Sequence, residues 1–163
     1  MGWFAMREQK QFGLEGIEQA QHTSELDLVV PFTTPELTRV ALDEANRMGE
    51  GLNATVRLVK VQVVPYPLEL NQPPVHIDFL RSQLARFQSE LPAAGEVRLA
   101  REFEAGLLGT LNPDSVVILA SGKRLWRTRN ERLAASLRRA GHQVVLVSAE
   151  SNPTEGKIEA KNA

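Results

Sequence analysis

Between Ser121 and Arg127 the chain reads Ser-Gly-Lys-Arg-Leu-Trp-Arg, and it continues with Thr-Arg-Asn-Glu. These residue types suit the binding of an anion. Lys123, Arg124 and Arg127 precede a helix start marked by Thr128 and Glu131, residues with capping-box spacing. A helix N-terminus presents unpaired N–H groups and the positive end of a dipole, which favours phosphate or carboxylate. Trp126 could stack on a planar ring beside the guanidinium groups. The plain alternatives are a solvated cationic loop and a packing tryptophan, because Trp126 lies at helical spacing with Asn130, Leu133 and Leu137.

Other chemistries find less support. Ser121 has no G-x-S-x-G elbow and no assigned base. Ser-Gly-Lys-Arg is not a phosphate loop of the G-x4-G-K-[ST] type. The chain has no cysteine, so it has neither disulfides nor thiol catalysis. His22, His76 and His142 lack metal-ligand spacing, and His142 reads as a turn residue. Lys60 would reach a crevice if its strand face points that way, although an edge-facing lysine is commoner. Glu102 and Glu104 alternate along an expected strand without a partner for acid–base work.

The 163 residues fit one domain with loose ends. A net charge of -1 excludes general polyelectrolyte affinity for nucleic acid. The charge is uneven: from Ser121 to Ala140, Lys123, Arg124, Arg127, Arg129, Arg132, Arg138 and Arg139 face Glu131 alone. No apolar run approaches the roughly 18–20 residues of a membrane span, and no signal-peptide core is visible, so a cytoplasmic domain without direct membrane insertion is expected.

The elements that must position these residues alternate strand and helix. Leu26–Phe32 is a short apolar run suited to a central strand. Thr33-Thr34-Pro35-Glu36 supplies a capping box and a proline for a helix that ends at Gly49 or Gly51. Thr55–Val64 is β-branched, and a proline-rich connection follows. Ile77, Leu80, Leu84, Phe87 and Leu91 share one helix face that stops before Pro92. Glu96–Phe103 predicts a third strand, Glu104–Leu111 a short helical turn, and Ser115–Ala120 a fourth strand. A helix from Thr128 to near Gly141 and a fifth strand over Gln143–Ser148 complete the pattern. Residues 1–25 are expected to form an arm or short helix, 26–149 the α/β domain, and 150–163 a polar tail. Strands joined through helices imply right-handed crossovers and a parallel sheet covered on both faces. Ligands of such sheets bind beyond the carboxyl ends of the strands. There Phe32-Thr33-Thr34 and the turn Ser121–Arg127 would face each other if the first and fourth strands are neighbours.

On this order of elements, on Val30-Pro31 before the first helix, and on the closing run Asp114–Leu119 and Val144–Val147, residues 26 to 148 resemble the universal stress protein family. The resemblance implies an open five-stranded parallel α/β sheet of strand order 3-2-1-4-5 and dimerisation through the last strand, here Val144, Val145, Leu146 and Val147. It also implies an ATP site with an aspartate after the first strand, where this chain has Thr33. The family's glycine-x2-glycine-x9-glycine-Ser/Thr run is matched only by Gly122. Leu119 or Ala120 fills the first glycine position, the turn is about two residues shorter, and Asn130-Glu131 stands near the closing pair. Missing glycines put side chains where backbone N–H groups would approach phosphate, and Glu131 would set a carboxylate against the anion.

Two functions are therefore expected. The first is a non-catalytic regulatory or stress-response domain that acts as a homodimer and does not hold ATP in the usual way. The second is a binding module for a nucleotide or another anionic small molecule, including as the cytoplasmic domain of a larger transporter or sensor. Its candidate residues are Phe32, Thr33, Thr34, Val61, Ser121, Gly122, Lys123, Arg124, Arg127 and Asn130. A nucleotide hydrolase is the remaining alternative. No metal is expected, and ATP or another nucleotide is the only cofactor the resemblance offers.

Overall fold

The computed structural model describes residues 25–122 and 128–149. The expected tail, nearly all of the expected arm, and Lys123, Arg124, Trp126 and Arg127 lie outside the described residues. The elements are β1 (Leu26–Pro31), α1 (Pro35–Gly49), β2 (Ala54–Val63), α2 (Ile77–Glu90), β3 (Ala94–Ala100), α3 (Phe103–Leu108), β4 (Val116–Gly122), α4 (Arg129–Arg139) and β5 (Gln143–Ala149). The strands form one five-stranded sheet in the order β3-β2-β1-β4-β5. Every neighbouring pair is parallel.

Alternation along the strands feeds two cores. Leu28, Val30, Leu58, Ile118 and Ala120 point to the face covered by α1 and α2, where they meet Ala41, Leu42, Ala45, Leu84 and Phe87. Val29, Val59, Val61, Val117 and Leu119 point to the other face, against Leu107 of α3 and Leu133, Ala134 and Leu137 of α4. A central strand buried on both faces needs this continuous apolar sequence. Each fully buried Leu or Val contributes roughly 1.5–3 kcal/mol relative to exposure, so these paired faces dominate the packing energy.

Helix starts follow local chemistry. Thr34 caps α1 by accepting from the Leu37 N–H at 3.4 Å, with Pro35 in the first turn. The expected capping box is not formed there. With Thr34 as the cap, Glu36 falls one position short of the residue that reaches back. The Thr33 N–H instead donates to Oγ1 of buried Thr38 at 3.1 Å.

β3 begins and ends earlier than the expected Glu96–Phe103. Its pairing with β2 runs from Arg57–Ala94 to Val63–Ala100, and the Val64 N–H then donates to the Ala100 carbonyl. Arg101 turns away, its guanidinium donating to the carbonyls of Val64 (3.0 Å) and Leu68 (2.8 Å). Glu102 becomes the N-cap residue of α3 and Glu104 lies in its first turn, so neither is a strand carboxylate.

At the amino end of the sheet, Arg57 donates to both oxygens of Asp27 at 2.7 Å, to Glu96 at 3.1 Å and to the Thr110 carbonyl at 3.0 Å. Asn112 and Ser115 also donate to Asp27. The Arg57 guanidinium, aided by the Ser115 and Asn112 donors, holds the Asp27 carboxyl below the usual carboxylate range despite partial burial. This network ties the starts of β1 and β2 to β3 and to the approach of β4.

Candidate functional site

β1 and β4 are neighbours, yet their pairing register covers only Leu28–Val116 and Val29–Val117. Beyond those pairs β1 stays with β2, the Phe32 N–H donating to the Val59 carbonyl at 2.7 Å. Pro31 has no N–H to give to a ladder. The carboxyl ends of β1 and β4 therefore part, and a crevice of about 980 Å³ opens there.

Asn130 spans the gap from the first turn of α4. It is 4% exposed, and its amide donates to the Ala120 carbonyl at 2.7 Å and to Thr33 Oγ1 at 3.3 Å. One side chain thus joins the turn after β1 to the end of β4. Thr33, Thr34, Gly122, Thr128 and Asn130 line the crevice floor and mouth. Phe32, Leu37, Val61 and Phe103 give it apolar walls, and Glu36, Lys60, Arg129 and Arg132 give it charge.

The start of α4 is closed by the chain's own groups. The Thr128 N–H donates to Glu131 Oε2 at 2.9 Å, and the Glu131 N–H donates to Thr128 Oγ1 at 3.2 Å. Both halves of the capping box are present. Ser121 joins it: its hydroxyl donates to Glu131 Oε1 at 3.1 Å and lies 2.9 Å from Thr128 Oγ1. With the Ser121 proton on Glu131, the Thr128 hydroxyl is the donor between the two alcohols. A carboxylate therefore occupies the helix end where an external anion would be favoured.

Lys60 enters from β2, on the sheet face it shares with Leu58. Its Nζ stands 3.7 Å from the centroid of the Phe32 ring, which packs edge-on against Phe87 at 5.4 Å. Desolvation lowers the Lys60 pKa below that of an ordinary lysine. The ion pairs among the described residues engage Arg39, Arg47, Arg57 and Arg81, and none includes Lys60. Across the crevice, the Arg129 guanidinium lies 5.4 Å from the Phe103 ring centroid.

Of the expected site residues, Phe32, Thr33, Thr34, Val61, Gly122 and Asn130 are brought together around this crevice. Ser121 is not a turn residue. It belongs to β4, pairs with Ser148 of β5 and is 6% exposed, with its hydroxyl turned into the α4 cap. Leu119 and Ala120, at the missing first glycine, are core side chains on opposite faces of β4. Val144, Val145, Leu146 and Val147 lie on β5, at the sheet edge, with side chains packed against the two cores.

Phe103, Arg129 and Arg132 are additions to the expected site, and Lys60, expected to reach a crevice only if its strand face points that way, does line it. A lone lysine among valines near the end of a central strand was the available signal for Lys60. Phe103 gave none, because the expected strand boundary hid its place at the start of α3. Among the described residues no group of His, Asp and Glu could hold a metal ion, and no helix is long and apolar enough to cross a membrane.

Among the described residues, the α4 start does not fit the phosphate cradle that the resemblance implies. Two donors of the α4 start are engaged by the cap, and Glu131 sets negative charge beside the rest. The architecture itself matches solved structures. A universal stress protein from Archaeoglobus fulgidus superposes with a TM-score of 0.53 at 12% identity, covering 75% of this chain and 93% of that one. A universal stress protein in complex with cAMP aligns with a TM-score of 0.48 at 16% identity, over 77% of this chain and 98% of that one. No protein-family model and no curated protein sequence matches the chain. The chain has the universal stress protein fold.

Proposed function

We propose that this chain is a non-catalytic regulatory domain of the stress-response kind, built on the universal stress protein fold and acting as a cytoplasmic homodimer through β5. It does not hold ATP by the usual phosphate cradle. The observation that carries this reading is the α4 start, where Thr128, Ser121 and Glu131 satisfy one another and leave a carboxylate at the anion position. The Ser121 hydroxyl spends its proton inside that cap, which speaks against a nucleophilic role. Calorimetric titration with magnesium ATP is expected to give no binding tighter than millimolar. A micromolar dissociation constant overturns the reading.

A second reading is favoured by Lys60. The open crevice, with a half-buried ammonium unpaired among the described residues, suits an anionic small molecule held by side chains rather than by the β4–α4 turn. The two readings are compatible, since a regulatory domain can respond to such a ligand, whether free-standing or joined to a transporter or sensor.

A further inference from the structure

We propose that the crevice takes a small carboxylate on an apolar or aromatic body, with Lys60 as the anchor of the carboxylate and the Phe32–Phe103 walls receiving the body. The proposal rests on the reading that the crevice binds an anionic ligand, and it names the class.

The chemistry of the walls selects it. Taking an ammonium out of water is unfavourable without a partner. The Phe32 ring face, 3.7 Å away, offsets part of that cost but supplies no negative charge. A bound carboxylate would complete the site with a charge-assisted hydrogen bond, the stronger kind in a partly desolvated setting. Glu36, Arg129 and Arg132 also line the crevice, while Glu131 and Thr128 close the α4 start with their own cap, so among the described residues no backbone cradle is offered to a chain of phosphates there. A polyphosphate would lack the cradle it needs, while one negative charge beside Lys60 needs only the ammonium. Phe32, Leu37, Val61 and Phe103 give the remainder of the ligand an apolar bed.

Indole-3-acetate, its neutral analogue indole-3-acetamide, and ATP are the probes, titrated into the full chain and followed by amide NMR shifts and calorimetry. Indole-3-acetate is expected to shift amides of Phe32, Thr33, Lys60 and Val61, and to bind at least tenfold more tightly than the amide and than ATP. Lys60→Met is expected to weaken it at least tenfold and Lys60→Arg less, with amide dispersion and melting retained. Equal affinity for acid and amide overturns the proposal on the unaltered chain, whether or not Lys60→Met folds. Unchanged affinity in a folded Lys60→Met protein also overturns it. Crevice shifts with ATP but not with indole-3-acetate overturn the ligand class and leave an anion-binding crevice standing. No crevice shift with any probe removes both.

Discussion

Asn130 shows how much of this site depends on one amide. Buried at the mouth of the crevice, it satisfies the Ala120 carbonyl and holds Thr33, spanning a gap the backbone ladder leaves open. Truncation leaves a buried carbonyl unpaired, at roughly 1–3 kcal/mol. Asn130→Ala should lower unfolding free energy by about that amount in urea titration, and amide shifts should concentrate at Thr33 and Ala120. Asp27 makes the opposite end sensitive to acid. Its folded pKa lies below its unfolded one, so its contribution is complete above about pH 4. That contribution fades as pH falls through the lowered folded value. Asp27→Asn should therefore be less stable than the parent at neutral pH, and the gap should narrow below about pH 4 in acid-unfolding curves.

Elements whose limits are set by neighbours in sequence were readable; those set across space were not. The α4 start was visible because Thr128 and Glu131 cap each other three residues apart. The α1 start was visible in Thr34-Pro35, but which threonine caps it depended on Thr38 taking the Thr33 N–H. β3 was misplaced because Glu96–Phe103 keeps a strand-like pattern, while the strand is stopped by Arg101 reaching carbonyls more than thirty residues away. The two-faced burial of β1, β2 and β4 was legible in their runs of valine and leucine. For Lys60 the reach into a crevice was legible as a condition on its strand face, while its seat over the Phe32 ring was not, since that depends on where Phe32 lies.

Packing at α3 adds a constraint that no pattern reveals. A Cβ on Gly106 would stand 2.6 Å from the Ala100 Cβ and 2.7 Å from Val61 Cγ1. Gly106→Ala gains up to about 1 kcal/mol in helix propensity but overpacks at a cost of roughly 1–3 kcal/mol. A net loss of stability is expected in denaturant titration, with NMR shifts extending through Val61 to the crevice wall.

At the scale of the whole sheet, β5 is the end strand and among the described residues pairs only with β4, leaving its outer backbone edge without a strand partner there. An uncovered edge is a template for pairing with a second copy. Arg138 covers part of this region by donating to the Val144 carbonyl at 2.9 Å. Sedimentation velocity at micromolar concentration should give a dimer, and a strictly monomeric chain would remove pairing through β5 from the proposed function. The net charge of -1 makes that assembly only weakly dependent on long-range repulsion.

The short register between β1 and β4 gives the molecule a mechanical grain. Ser115 and Asn112 tie the β4 side to Asp27 at the amino end of the sheet, while at the carboxyl end the β1–β4 ladder is left open. Asn130 is the latch across the unzipped side.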